Sequence, residues 1–170
     1  MYKLCVIGDP VAHSLSPSIH NALLARRGLA GSYTTVTVRA GELEGFLTQA
    51  RRGDYDGFNV TMPHKQAILP LLDELSPAAA ACGAVNTVCI KNGRAIGYNT
   101  DGGGFVDSLR ARGLEPEGKT VLLLGTGGAG DAICDALVGA GVKKIFVTNR
   151  SVYPAQDLAA RYPDKAQFIY

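Results

Sequence analysis

Thr120-Val121-Leu122-Leu123-Leu124-Gly125-Thr126-Gly127-Gly128-Ala129-Gly130 runs from an unbroken apolar segment into a glycine turn and on into an apolar helical stretch that reaches Leu137. Thr120 to Leu124 reads as a continuous apolar strand. The turn after it matches G-x-G-x-x-G, which means little alone but here leaves a strand and opens a helix, the context it requires. Past Gly141, Lys144 to Thr148 reads as a second strand. Strand, glycine turn, helix and strand make the first βαβ unit of a dinucleotide-binding fold. Such a turn lets main-chain N–H groups approach a pyrophosphate at a helix N-terminus, so Gly125, Gly127, Gly128, Ala129 and Gly130 are candidate cofactor contacts. Where NAD enzymes carry an acidic residue for the ribose 2′-hydroxyl, this chain has Asn149-Arg150-Ser151. Arg150 can instead grip a 2′-phosphate through charge-assisted hydrogen bonds, which points to NADP. Arg150 as a surface arginine and Ser151 as a helix cap is the plainer account, and the two are compatible.

Upstream, Gly113-Leu114-Glu115-Pro116-Glu117-Gly118 is polar and turn-rich, and the expected division falls there, into domains 1–112 and 113–170. In the first part Leu4 to Ile7 reads as a buried strand, and Ser16 with Pro17 as the start of a helix carrying Ile19, Leu23 and Leu24 inward. Ser32 to Val38 is a second strand, and Glu42 to Arg51 a helix with Leu43, Phe46 and Leu47 on one face. Gly57 to Val60 is a third strand. Ala84 to Ile90 and Ala95 to Tyr98 form a hairpin about Asn92-Gly93. A helix from Asp101 to about Arg112 follows. Strands alternating with helices imply a mostly parallel α/β sheet with an antiparallel portion.

The third strand delivers Asn59-Val60-Thr61-Met62-Pro63-His64-Lys65 to a bend that Pro63 stiffens, ahead of an expected apolar helical run from Ile68 to Leu75. Lys65 falls in the first turn of a helix, where the dipole places partial positive charge, an unusual position for an ammonium group. A lysine there can exchange a proton with a substrate hydroxyl; a solvated surface lysine is the commoner case. Ser14 and Ser16 offer two hydroxyls on one loop, though capping is an equal account of Ser16. Thr61 and Asn86 are polar groups leaving apolar strands, where a partner is needed, and Asp101 could be only an N-cap.

Four stretches together carry a resemblance: Gly8-Asp9-Pro10-Val11-Ala12-His13-Ser14-Leu15-Ser16-Pro17, Asn59 to Lys65, Gly83-Ala84-Val85-Asn86-Thr87, and Gly97-Tyr98-Asn99-Thr100-Asp101-Gly102. In order and spacing the chain resembles the shikimate dehydrogenase family over essentially its whole length. The resemblance implies an N-terminal substrate domain and a C-terminal Rossmann-type NADP module, with the reaction in the cleft between them. The implied activity is reversible NADP-linked reduction of 3-dehydroshikimate to shikimate, in aromatic amino-acid biosynthesis. It further implies that Lys65 exchanges the proton, that Asp101 is its carboxylate partner, and that Ser14, Ser16, Thr61, Lys65, Asn86 and Asp101 bind the substrate, the serines at its carboxylate. The triplet Asn149, Arg150 and Ser151 binds the adenosine phosphate of NADP in that family. Two alternatives stand beside this: a quinate dehydrogenase using NAD, and a non-catalytic ligand-binding module that keeps the fold.

Composition narrows the classes. With 46% hydrophobic and 19% charged residues and a net charge of +2, the 170-residue chain has no feature pointing to nucleic acid or a membrane surface. Cys5, Cys82, Cys89 and Cys134 form no C-x-x-C pair or metal-ligand spacing, and His13, His20 and His64 read as structural or pocket-lining. Reduced, mostly buried thiols and no signal-peptide layout suggest a cytoplasmic protein.

Downstream of Arg150, a helix from Val152 to Tyr162 presents Ala155, Leu158, Ala159 and Tyr162 on one face, and Gln167 to Tyr170 begins a third strand where the sequence stops. A complete dinucleotide-binding sheet needs further strands, so the Rossmann part is expected to be incomplete in this chain. The 170 residues then read as an N-terminal portion of a longer enzyme, nearly inactive alone, with an exposed sheet edge through which a homodimer would form.

Overall fold

The computed structural model describes residues 1–170, in two compact units. One comprises Met1–Ala80 with Ala84–Asn99, the other Ala81–Gly83 with Thr100–Tyr170.

The first unit is built on the apolar run at the N-terminus. β1 (Tyr2–Gly8) buries Cys5, Val6 and Ile7 and is flanked on both sides by parallel partners, β2 (Gly31–Thr37) and β3 (Gly57–Val60). β5 (Thr87–Lys91) and β6 (Arg94–Tyr98) form the expected hairpin, with Asn92 and Gly93 at φ of 53° and 75°. Positive φ at both central residues is what a twisted two-residue hairpin turn requires. β5 joins β3 antiparallel, and β4 (Glu74–Leu75) closes the far edge parallel to β6, giving the order β2-β1-β3-β5-β6-β4. α1 (Ser16–Arg26) precedes β2, α2 (Leu43–Gln49) precedes β3, α3 (His64–Ala67) follows it, and α4 (Pro77–Cys82) follows β4. Leu43, Phe46 and Leu47 of α2 are buried as expected, and the Phe46 ring meets Phe58 edge-on at 5.0 Å.

Three local expectations are corrected. The helical run from Ile68 to Leu75 is instead a single tight turn, Leu69–Leu71, followed by β4, because Pro70 cannot continue a helix. Lys65 therefore lies in a helix of one turn, with few aligned peptide dipoles behind it. Ile19 and Leu23, expected inward, are 56% and 46% exposed. α1 meets β2, an edge strand, through a narrow and largely polar stripe: His20 stacks on Tyr33 at 4.3 Å, and the Asn21 side chain bonds both the N–H and the carbonyl of Tyr33 at 2.9 Å. Nor does Ser16 cap α1. Leu15 holds that position, and the Ser16 N–H donates to Ser14 Oγ at 3.2 Å.

The second unit contains α5 (Asp101–Arg110), β7 (Thr120–Leu124), α6 (Gly128–Gly139), β8 (Lys144–Thr148), α7 (Val152–Ala160) and β9 (Ala166–Phe168), the three strands all parallel in the order β7-β8-β9. Cys134, Leu137, Val142, Ile145, Val147, Ala155 and Leu158 form its core. Within this sheet β7 is a marginal strand, and its Leu122 and Leu124 are 56% and 73% exposed. α5 packs on α6 at Gly102, where a Cβ would run into the carbonyl oxygen of Ala132. That packing draws α5 into the second unit, so the structural division falls after Asn99, at the near end of the helix, whereas the sequence places it at 112/113, beyond the far end. Cys5, Cys82 and Cys134 are buried and Cys89 is exposed, all as free thiols. No helix is long and apolar enough to cross a membrane.

Candidate active site

In the first unit the expected substrate residues gather where β1 and β3, neighbours in the sheet, release the chain at their C-terminal ends. Main-chain bonds lace the loops there: Thr61 N–H donates to Ile7 O at 2.9 Å, Asp9 N–H to Met62 O at 3.0 Å, and Val38 N–H to Gly8 O at 3.2 Å. The peptide bonds before Pro10 and Pro63 are cis. Ser14, on the loop leaving β1, and Ser16, the first residue of α1, are half-buried, with Ser14 N–H bonded to Val11 O at 3.1 Å. Thr61 and Lys65 leave β3 and are half-buried as well. The Lys65 carbonyl receives Val85 N–H at 2.8 Å, and the Asn86 carbonyl receives Val60 N–H at 2.9 Å, which ties the approach to β5 into the same cluster. Asn86 is 8% exposed. Ser14, Ser16, Thr61, Lys65 and Asn86 thus share one end of one sheet.

The histidines divide by role. His64 is buried, and its Nε2 lies 2.6 Å from Val38 O. A carbonyl only accepts, so this nitrogen donates, and the bond pins the segment bearing Lys65 to the end of β2. Burial against Tyr33 lowers the His20 pKa. His13 is exposed.

Several groups here escape a reading of the sequence. Tyr33, 3% exposed, donates its hydroxyl to Asn59 Oδ1 at 2.6 Å. Burial above all pushes its pKa up to about 12, the charge of Cys5 adds to this, and a hydrogen bond with the Ser16 hydroxyl opposes it. Asn59 Nδ2 reaches Asn86 O at 3.1 Å and Thr87 Oγ1 at 3.0 Å. Asn99 Nδ2 donates to Ala84 O at 3.0 Å. The available signal is Asn59 itself, a polar residue between Phe58 and Val60 in a buried strand, which must find partners. A cavity of about 340 Å³ at the opposite end of the sheet, beside Lys3, Ser32, Thr34 and Tyr55, contains none of the expected residues.

In the second unit the glycine turn bends between β7 and α6. Gly125 has φ of 103°, and its N–H donates to Thr148 O at 2.9 Å, so the turn stands beside the end of β8 where Asn149, Arg150 and Ser151 follow. At Gly130 a Cβ would strike the Gly125 carbonyl oxygen, so the turn closes only with glycine there. Gly127 is unobstructed at the mouth of α6 and lies in extended backbone at its N-cap. Thr126 Oγ1 is buried with no hydrogen-bond partner, an orphaned donor inside the turn that the sequence does not single out. Bare N–H groups at a helix start, an unpartnered hydroxyl and an exposed arginine at the next strand end suit a dinucleotide with a 2′-phosphate. Asn149 Nδ2 donates to Ser151 O at 3.0 Å, and Ser151 sits at the N-cap of α7 without a side-chain cap bond. Asp101 begins α5 in this unit and Lys65 belongs to the first.

Comparison with known proteins agrees with both halves. The family model of the shikimate dehydrogenase substrate binding domain matches residues 6–88, and that of shikimate / quinate 5-dehydrogenase matches residues 109–169. The chain is 50% identical over 165 residues to the shikimate dehydrogenase (NADP(+)) of Bacillus cereus (strain G9842), covering 94% of this chain and 58% of that protein. It is 44% identical to the enzyme of the same name from Alkaliphilus metalliredigens (strain QYMF), covering 90% and 54%. A crystal structure of shikimate 5-dehydrogenase from Thermus thermophilus, in complex with NADP(H) and shikimate, superposes with a TM-score of 0.91 at 42% identity, covering 98% of this chain and 63% of that one. The chain therefore spans a little more than half the length of the relatives it matches. It belongs to the shikimate dehydrogenase family.

Proposed function

We propose that the chain carries the substrate half and the phosphate-binding part of the cofactor half of an NADP-dependent enzyme that interconverts 3-dehydroshikimate and shikimate in the cytoplasm. The observation that carries this reading is the clustering of Ser14, Ser16, Thr61, Lys65 and Asn86 at one end of the first sheet, in a chain that also has a turn fitted to a dinucleotide. Hydroxyl, amide and ammonium groups crowded on a rigid frame match a ligand that is both polyhydroxylated and anionic. Ser14 and Ser16 suit its carboxylate, and Thr61 and Asn86 suit ring oxygens. Lys65 exchanges the proton that appears or disappears as the ring carbon passes between carbonyl and alcohol, and Asp101 balances the lysine charge. Gly125, Gly127, Gly128, Ala129 and Gly130 hold the pyrophosphate of NADP, Thr126 adds its hydroxyl, and Asn149, Arg150 and Ser151 hold the 2′-phosphate. Bound there, the nicotinamide cofactor supplies or accepts the hydride.

Calorimetric titration of the chain with shikimate, quinate, NADP and NAD tests the reading. Shikimate should bind more tightly than quinate, and NADP more tightly than NAD. Quinate and NAD preferred together would overturn it in favour of an NAD-linked quinate enzyme, and no ligand bound at all would remove it.

A further inference from the structure

Three side chains behind Asn86 are joined by hydrogen bonds of fixed direction. The Asn86 carbonyl can only accept, so the group 3.1 Å from it on Asn59 is the amide nitrogen, and Asn59 Oδ1 therefore faces Tyr33. That oxygen only accepts, which commits the Tyr33 proton to it across 2.6 Å. The second hydrogen of Asn59 Nδ2 goes to Thr87 Oγ1 at 3.0 Å. Thr87, already an acceptor, sends its own proton to Asn86 Oδ1 at 2.9 Å. Every step runs one way, and it begins at an anchored residue. Tyr33 is held at its N–H and its carbonyl by Asn21 and on its ring face by His20. Its near-complete burial and that of Asn86 keep water from substituting for either end.

We propose that Tyr33, Asn59 and Thr87 are positioning residues that hold the Asn86 amide with its oxygen turned inward, so that Asn86 meets the substrate as a hydrogen-bond donor. This rests on the reading of Asn86 as a substrate contact. It adds a specificity rule: a fixed donor grips an oxygen equally well as hydroxyl or carbonyl, since both accept, whereas a flipped amide would grip only a hydroxyl. A contact that tolerates both forms serves a reaction that interconverts them.

The test uses the 170-residue chain and Thr87→Val, which keeps the shape and removes the hydroxyl. In ligand-free protein, the Asn59 and Asn86 side-chain amide resonances should shift together in the variant while those of Asn92 and Asn149 stay in place. In calorimetry with shikimate, Thr87→Val should bind about threefold to tenfold more weakly, the loss of one orienting hydrogen bond. Thr87→Ser should restore both readouts, and Tyr33→Phe, two links further back, should weaken binding in the same direction by less. Unmoved Asn86 resonances, or unchanged affinity in a folded Thr87→Val protein, would overturn the proposal while leaving the functional reading intact. Wild-type protein that fails to bind shikimate would overturn both.

Discussion

Gly102 and Gly103 are adjacent in the first turn of α5, and substituting alanine at each should have opposite effects. Alanine in a helix is favoured over glycine by about 0.5–1 kcal/mol, chiefly because the unfolded chain has less freedom to lose. At Gly103 a Cβ would meet nothing within 4 Å, so Gly103→Ala should realise that gain. At Gly102 the same atom would be driven into the carbonyl oxygen of Ala132 and would lie 2.8 Å from the Cβ of Ala136. Both obstacles belong to the body of α6 and cannot swing aside as a long side chain would. Overpacking of this kind costs about 1–3 kcal/mol. The two variants should therefore differ by about 1–3 kcal/mol, with Gly102→Ala less stable than wild type and Gly103→Ala more stable. For a chain of this size that separates their melting temperatures by about 2–12 °C. Urea unfolding followed by circular dichroism measures the difference directly, since both sites lie in one helix and report one transition. Equal stabilisation by both substitutions would mean that α5 does not approach α6 at Gly102, and the assignment of α5 to the second unit would fall with it.

Arg150→Ala should cost NADP about 1.5–3 kcal/mol of binding while leaving NAD nearly unaffected; an unchanged preference in titration would remove Arg150 from the 2′-phosphate site. In enzyme extended to the length of its relatives, Lys65→Ala should lower turnover by roughly a hundredfold to ten-thousandfold with a smaller change in substrate affinity. Asp101→Asn should add less than its separate effect to the double variant; an effect of Lys65→Ala on the Michaelis constant alone would make Lys65 a binding residue. Burial pushes the thiols of Cys5 and Cys134 up to about 12 and about 11. Unfolded thiols ionise at lower pH, so above that point the unfolded state holds fewer protons and stability falls as pH rises, by about 1.4 kcal/mol per pH unit for each thiol until its folded value is reached. Cys5→Ala should flatten that alkaline slope; an unchanged slope in urea titrations from neutral to alkaline pH would show that the thiol is not shielded. In native protein a thiol reagent should react promptly with Cys89 alone, and fast modification of a second cysteine would contradict the burial of the other three.

The parts legible in the sequence are those where local chemistry and tertiary context agree. The run from Thr120 to Gly130 needs glycine for its turn and an apolar strand for its sheet, and both requirements are written within a few residues. The Asn92-Gly93 hairpin is legible for the same reason, since positive φ at two adjacent positions leaves few residue choices. The helix expected from Ile68 to Leu75 fails because Pro70 outweighs an apolar pattern. α1 misleads in the opposite way. Its apolar residues suggest an inward face, but of Ile19, Leu23 and Leu24 only Leu24 is half-buried, beside Gly31 of the edge strand, while the polar His20 and Asn21 meet that strand at Tyr33. The expected site residues can be found from resemblance and polar placement, whereas the links from Tyr33 through Asn59 to Thr87 join residues distant in the chain and become visible only once strands pair. The sequence puts the end of the first domain at 112/113 because Gly113 to Gly118 looks like a linker, while the close approach at Gly102 that groups α5 with the second unit leaves no local mark beyond a glycine among three.

The bonds that lace the loops between β1, β2 and β3 run mostly from main chain to main chain: Thr61 to Ile7, Asp9 to Met62, Val38 to Gly8. Outside Gly8, where a Cβ would run into Thr61 and the carbonyl oxygen of Met62, most residue exchanges other than one to proline preserve such bonds, because every other amino acid supplies the same N–H and every amino acid the same carbonyl. The frame that aims Ser14, Thr61 and Lys65 is thus largely indifferent to which side chains it displays. Over generations, side chains on this frame can be replaced one at a time while the loops keep their shape, so a descendant can acquire a new ligand before it has had to invent a new scaffold.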